Sequence, residues 1–351
     1  MTDTVQSAAD QSQAHLAATD LAVTFELPGG RRARAVDGVN LQVNAGEIVA
    51  LAGESGCGKT TLARTLLGLE RPTSGEVTFD GKALGKKTRA LRAFRRNVQM
   101  ILQDPSGALN PRHTVYEAVA EGLRIHGVEG RNEAEQVMGA LSQAGLRPPE
   151  RYLLNYPYEL SGGQRQRVVI AGALALAPKI LVADEPVASL DASVRGEILA
   201  LLQRLRDDFG LGALVVTHDL GLAWNIADRI AVMYLGRIVE QGPVEQVLRD
   251  PQHPYTRALV SVLPESPLGH EAQVLSGEAP DASHIPSGCR FHPRCPVVAD
   301  GRAAQAGVED HCRSTELKVL PPAIDDWQVA CHYAARAAAH GDRSQNTGAT
   351  A

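Results

Sequence analysis

Residues 53–61 read GESGCGKTT, a match to G-x-x-x-x-G-K-[ST]. A string of this kind binds phosphate. Gly53, Gly56 and Gly58 let successive backbone N–H groups wrap an anion closely, and Glu54, Ser55, Cys57 and Thr61 complete the loop. Lys59 would reach the β- and γ-phosphates of a nucleotide, and the Thr60 hydroxyl would meet its Mg²⁺. Cys57 takes a variable position of the pattern and is given no separate role.

An acidic pair stands in ILVADEP, residues 180–186, where an apolar run ends in two carboxylates. Asp184 suits a metal, directly or through water, and Glu185 suits an attacking water as general base or orienter. Gln103 in ILQDP and His218 in VVTHD also follow apolar runs. Gln103 could bridge metal and water, and His218 could donate to a γ-phosphate; a single histidine after a strand is otherwise a structural residue. A third stretch, LSGGQRQRVVIAGAL at 160–174, puts Gly162 and Gly163 at the start of a helical run. A helix start built this way favours an anion. The residues alone leave open which anion meets Ser161, Gly162, Gly163 and Gln164.

These groups need a frame. GEIVALAG (46–53), KILVADE (179–185) and GALVVTH (212–218) are apolar and β-branched. Strands covered on both faces look like this, with functional groups at their carboxyl ends. GEVTFDGKAL (75–84) and RIAVMYLGRIVEQG (229–242) read as antiparallel hairpins, turning near Asp80-Gly81 and Leu235-Gly236. From about 88 to 170 no strand is expected, and TVYEAVAEGLRIHG and NEAEQVMGALSQAG carry helical periodicity. The fold class is α/β, with a helical insertion.

After residue 250 prolines, histidines and four of the five cysteines collect, which places a boundary near Asp250-Pro251. Residues 1–16 read as a polar, disordered lead-in without an apolar signal core, and 335–351 as a small-residue flexible tail. The 351 residues carry a net charge of −5, 44% apolar and 21% charged residues. That balance suits a soluble globular protein and argues against a dedicated nucleic-acid binder. KKTRALRAFRR (86–96) reads as a solvated helix face. No run approaches the length of a membrane-spanning helix, so a cytoplasmic chain is expected.

GESGCGKTT, Gln103, LSGGQ, ILVADEP, Asp191 in SLDAS and His218 stand in an order that resembles the nucleotide-binding subunit of ABC transporters, over about residues 17–250. The resemblance implies a P-loop ATPase domain with a mixed-sheet core, an antiparallel β subdomain and a helical subdomain at about 88–170, binding ATP and Mg²⁺. It implies that Ser161, Gly163 and their helix bind the γ-phosphate of a nucleotide held by a facing subunit, in a head-to-tail dimer. An isolated chain would then hold two half-sites. Phe25 in DLAVTF matches the aromatic that stacks on adenine, with a core strand residue as the alternative. Asp191 would communicate between the two sites. Gln103 and the helical insertion would face membrane subunits.

HPYTRALV (253–260) and GCRFHPRCP (288–296) resemble the tail of importer ATPases for oligopeptides, dipeptides and nickel. The function implied is ATP hydrolysis that powers peptide import from the cytoplasmic face of the membrane. The partners implied are two permease subunits, a second ATPase that is a different chain and, indirectly, an extracytoplasmic solute-binding protein. Import of nickel or another solute is the alternative, as is a soluble ABC-type ATPase of translation or DNA repair, although those usually carry two cassettes. A P-loop kinase or GTPase leaves LSGGQ unexplained.

Cys289, Cys295, Cys312 and Cys331 form C-x5-C-x16-C-x18-C. Disulfides are disfavoured in a cytoplasmic chain, so a shared metal or cluster is the better account of four clustered thiols. Short zinc knuckles are missing, and four thiolates at irregular spacing suit iron–sulfur better. Relatives of this tail imply a [4Fe–4S] cluster, with Zn²⁺ (and His292, His311 or His332 as substitute ligands) or free thiols as the alternatives. The gap between Cys295 and Cys312, filled by VVADGRAAQAGVED, is longer than the resemblance leads one to expect.

Overall fold

The structure is a computed structural model and describes residues 15–340, apart from 86, 189, 265, 270–271, 279 and 322–326. Most of the expected lead-in, and the tail from 341, lie outside the described residues. Strands β1 (His15–Glu26) and β2 (Arg32–Asn44) pair antiparallel. β3 (Ile48–Ala52) leads to helix α1 (Lys59–Leu66), and β4 (Ser74–Phe79) and β5 (Lys82–Ala83) form the expected hairpin. The order β2-β1-β4-β5 makes a four-stranded antiparallel sheet.

Next come α2 (Thr88–Asn97), β6 (Val98–Ile101), α3 (Pro105–Ala108), α4 (Val115–Ile125), α5 (Arg131–Gln143) and α6 (Gly162–Leu174). β6 corrects the expectation that this stretch holds no strand. It is four residues long and follows α2 without a turn, so no punctuation marks it. The helices form for local reasons. Thr114 accepts the Glu117 N–H at 3.3 Å while the Glu117 carboxylate accepts the Thr114 N–H at 2.8 Å, a capping box that starts α4. Arg124 of α4 then clasps Glu133 of α5 with two hydrogen bonds of 2.9 Å.

The remaining elements are β7 (Ile180–Asp184), α7 (Ala192–Phe209), β8 (Gly212–Thr217), α8 (Leu220–Ile226), β9 (Arg229–Tyr234), β10 (Arg237–Pro243), α9 (Val244–Arg249) and α10 (Pro254–Ser261). Short helices α11 (Pro296–Ala299), α12 (Arg302–Gln305) and α13 (Glu309–Ser314) precede β11 (Gln328–Val329) and α14 (His332–His340). α14 covers the first residues of the segment expected to be a flexible tail. The second sheet runs β11-β10-β9-β3-β8-β7-β6. Its centre is parallel, and β10 and β11 add antiparallel at one edge. Every residue of β3, β7, β8 and β9 is buried, as layers on both faces require.

The boundary expected at Asp250-Pro251 does not separate two cores. Tyr255 and Phe291 pack against Tyr234 of β9, with ring centroids 4.7 and 5.2 Å apart, and join the same buried cluster as the sheet. A compositional shift marks this region in the sequence, but its apolar residues find their partners in the strands before it.

Candidate active site

Four adjacent parallel strands end on one edge. Their order is β3-β8-β7-β6, with Ala52 beside Thr217, Asp184 beside Val216 and Ile101 beside Ala183. The residues that follow them in space are therefore the 53–58 loop, His218, the Asp184-Glu185 pair and Gln103. Two distant motifs and two single residues become one row.

The loop can only be built with glycines. Gly53, Gly56 and Gly58 have φ of 152°, 79° and 110°. A Cβ on Gly53 would lie 2.2 Å from the Met233 carbonyl oxygen, and one on Gly58 2.0 Å from that of Ala35. The loop is thereby pressed onto β9 and β2, and Gly58 opens α1. Lys59 is buried and donates to the carbonyl oxygens of Gly53 and Glu54 at 2.7 and 2.8 Å. Cys57 is buried beside it, with its thiol pushed up in pKa by burial.

Asp184 ends β7 with the Thr60 side chain hydrogen-bonded to it. Burial pushes its carboxyl pKa up, against the pull of the Thr60 hydrogen bond. A hydroxyl and a desolvated carboxylate side by side, next to a glycine-lined loop with a buried lysine, make a donor set that fits Mg²⁺ and a nucleotide triphosphate. Glu185 follows with a positive φ of 46°. Gln103 Nε2 donates to its Oε2 at 3.0 Å, and His218 Nδ1 lies 3.0 Å from its Oε1. The carboxylate is held from both sides.

Ser161 caps α6. Its hydroxyl accepts the Gln164 N–H at 3.2 Å, and the Gln164 side chain accepts the Ser161 N–H at 2.9 Å. A Cβ on Gly163 would stand 2.7 Å from Val194 of α7, whereas one on Gly162 would find only Leu190, at 3.9 Å. Among the described residues no hydrogen bond links 161–164 with 53–61 of the same chain. Asp191 caps α7, accepting the Val194 N–H at 3.0 Å and the Ser193 hydroxyl at 2.8 Å; the first of these bonds lowers its pKa most. Phe25, near the end of β1, is 38% exposed and so is not a core residue.

Two residues of the C-terminal strings HPYTRALV and GCRFHPRCP, outside the nucleotide motifs, reach the loop. Tyr255 Oη accepts the Glu54 N–H at 2.8 Å, and Arg294 donates to the Glu54 carboxylate at 2.8 and 3.2 Å. They lie 201 and 240 residues away in the chain, and no local pattern announces either contact.

Cys289, Cys295, Cys312 and Cys331 line one cavity together with His253 and Phe291, all four as free, buried thiols. Burial pushes the Cys289 and Cys331 thiols up to about 12 and raises Cys295 and Cys312 as well. Among the described residues no group of three or more His, Cys, Asp or Glu side chains is disposed to hold a metal ion. The expected ligand set for iron–sulfur or zinc is therefore not formed. The thiols share a cavity, and burial favours their neutral form.

The profile of the ABC transporter family matches residues 36–188, and that of the oligopeptide/dipeptide transporter C-terminal region matches 239–301. The chain is 41% identical over 331 residues to the di/tripeptide transport ATP-binding protein DppF of Pseudomonas aeruginosa, covering 91% of this chain and 97% of that one. It is 44% identical over 294 residues to the oligopeptide transport ATP-binding protein OppF of Escherichia coli, covering 80% and 87%. Among solved structures, the dimeric ATP-binding cassette MJ0796 bound to ADP and Pi aligns with a TM-score of 0.59 at 31% identity, over 65% of this chain and 98% of the cassette. Together with the row of site residues on one sheet edge, these matches show that the chain belongs to the ABC transporter ATPases with an oligopeptide/dipeptide transporter C-terminal region, as the ATP-hydrolysing subunit of a peptide importer.

Proposed function

We propose that ATP is held between Gly53–Thr61 of one chain and Ser161–Gln164 of a facing chain, and that Glu185 activates the water that attacks the γ-phosphate. The observation that carries this reading is the Glu185 carboxylate fixed between Gln103 and His218, one residue after Asp184. A carboxylate oriented by two donors presents its remaining lone pairs to a water in one direction. The water gives its proton to Glu185 as its oxygen bonds to phosphorus, and the bond to the β-phosphate oxygen breaks to leave ADP and phosphate. Lys59 and the loop N–H groups offset the charge on the transferring group, and His218 donates to it once nucleotide is bound. Thr60 and Asp184, with Gln103 nearby, would hold Mg²⁺, which supplies further charge neutralisation.

Among the described residues the start of α6 makes no hydrogen bond to the chain's own loop, which supports its use on a partner's nucleotide. Asp191, capping α7 beside Gly163 through Val194, connects that surface with the segment that follows Glu185. Exposed Phe25 is open for adenine stacking. The relatives' names support peptides as cargo, and membership of the transporter family supports permeases as membrane partners on the cytoplasmic face, with a solute-binding protein upstream as part of the same proposal. A second, different ATPase chain is the partner we favour. Four thiols around one cavity are also the basis of a narrower reading, an iron–sulfur cluster that Cys289, Cys295, Cys312 and Cys331 would ligate as thiolates, against the missing ligand set among the described residues. Iron and acid-labile sulfide in anaerobically purified protein test that reading, and protein free of both ends it.

Glu185→Gln tests the central assignment. Turnover should fall by at least about 10²-fold, while MgATP binding persists. Undiminished hydrolysis in this variant overturns the role of Glu185.

A further inference from the structure

The residue after the first loop glycine is held at three groups. Glu54 N–H donates to Tyr255 Oη at 2.8 Å, the Glu54 carbonyl accepts from Lys59 Nζ at 2.8 Å, and its carboxylate takes both Nη atoms of Arg294. Arg294 is itself immobilised. Its Nε donates to the Ser276 carbonyl at 3.2 Å, its guanidinium sits 6.0 Å from the Tyr234 ring centroid, and its side chain is 8% exposed. Tyr255 is fully buried between Tyr234 and Phe291.

The other side of the loop is braced from the same segment. Arg290, four residues before Arg294, donates to the Leu235 carbonyl at 2.5 Å and pairs with Asp37. The adjoining Gly236 N–H donates to the Cys57 carbonyl at 2.9 Å. The run Cys289–Cys295 thus sends one arginine directly to the loop and one to the turn that supports it.

Tyr255 and Arg294 end on Glu54 itself, and Arg290 ends on the turn that supports the loop. Their effect is on shape: a loop whose N–H groups are aimed before the ligand arrives does not spend binding energy on being ordered. We infer that Tyr255 and Arg294 are positioning residues of the nucleotide site, holding Glu54 so that the loop keeps its phosphate-receiving form. This rests on reading 53–61 as the ATP loop. Pre-ordering acts on binding rather than on phosphoryl transfer, so the KM for ATP and the dissociation constant for MgATP should change while kcat does not.

The test uses the full chain assembled with its transporter subunits, with steady-state ATPase kinetics and equilibrium binding of MgATP. Arg294→Ala is expected to raise KM and the dissociation constant about tenfold, with kcat within about twofold of wild type. Arg294→Lys should fall between the two. Glu54→Ala should raise the dissociation constant for MgATP as much as Arg294→Ala does, and the double variant should bind no more weakly than either single one, because both remove the same link. Tyr255→Phe keeps the ring and its packing, removes only the acceptor of the Glu54 N–H, and should raise KM several-fold. It stands in if Arg294→Ala does not fold. Wild-type KM in both Tyr255→Phe and Arg294→Ala, or effects of Arg294→Ala and Glu54→Ala that simply add, would overturn the inference. A wild-type assembly that binds no MgATP would instead overturn the reading of the loop itself.

Discussion

His218 Nδ1 lies 3.0 Å from Glu185 Oε1, so the histidine ending one strand's loop orients the carboxylate at the end of its neighbour. Gln103 does the same from the opposite side. Removing either donor leaves Glu185 present but free to turn. His218→Ala and Gln103→Ala should each lower kcat by about 10²-fold, with MgATP affinity changed far less. Single-turnover hydrolysis set against equilibrium binding checks this, and a loss confined to affinity would contradict it.

Gly162 and Gly163 separate function from fold. Gly162→Ala meets nothing closer than Leu190 at 3.9 Å, so its unfolding free energy should stay within about 0.5 kcal/mol of wild type. Its methyl would nevertheless stand where a partner's phosphate is to be received, and turnover should fall sharply. Gly163→Ala drives a methyl to 2.7 Å from Val194, whose branched side chain has little rotamer freedom in a helix. It should cost about 1–3 kcal/mol of stability as well. Denaturant unfolding and ATPase assays on the two variants distinguish these outcomes.

Much of this site is legible in the amino-acid sequence itself. Glycine loops, carboxylates ending apolar runs and the LSGGQ helix start are local patterns with local physical causes. Contacts closed by tertiary packing are not legible in that way. Tyr255 and Arg294 reach Glu54 only because aromatic residues after 250 bury against Tyr234, and a change in composition that reads as a boundary hides a shared core. β6 escapes notice because four residues directly after a helix offer no period to read. The cysteine spacing points correctly to a common location, but spacing alone does not say whether thiols converge on a metal.

Glu240 supplies a pH test of the seam between β10 and the C-terminal region. It is fully buried, accepts N–H groups from Gln252, His253 and Trp327, and burial outweighs these bonds to raise its pKa from 4.5 to about 7. A folded-state pKa above the unfolded value means that its stabilising contribution is complete below 4.5 and is lost as pH rises to about 7. Compared with Glu240→Gln, wild type should therefore lose about 3 kcal/mol of relative stability across that window. Denaturant melts of both proteins at several pH values measure it, and a constant difference between them would contradict the shift.

The decisive measurement is ATP turnover per chain as association is removed. Strictly monomeric chain at high dilution should hydrolyse ATP at a small fraction of the rate it shows once paired with a second ATPase chain and permease subunits, because each monomer holds a phosphate loop without a helix start to close it. Full-rate hydrolysis by the isolated monomer would show that Gly162 and Gly163 serve no nucleotide in a facing subunit.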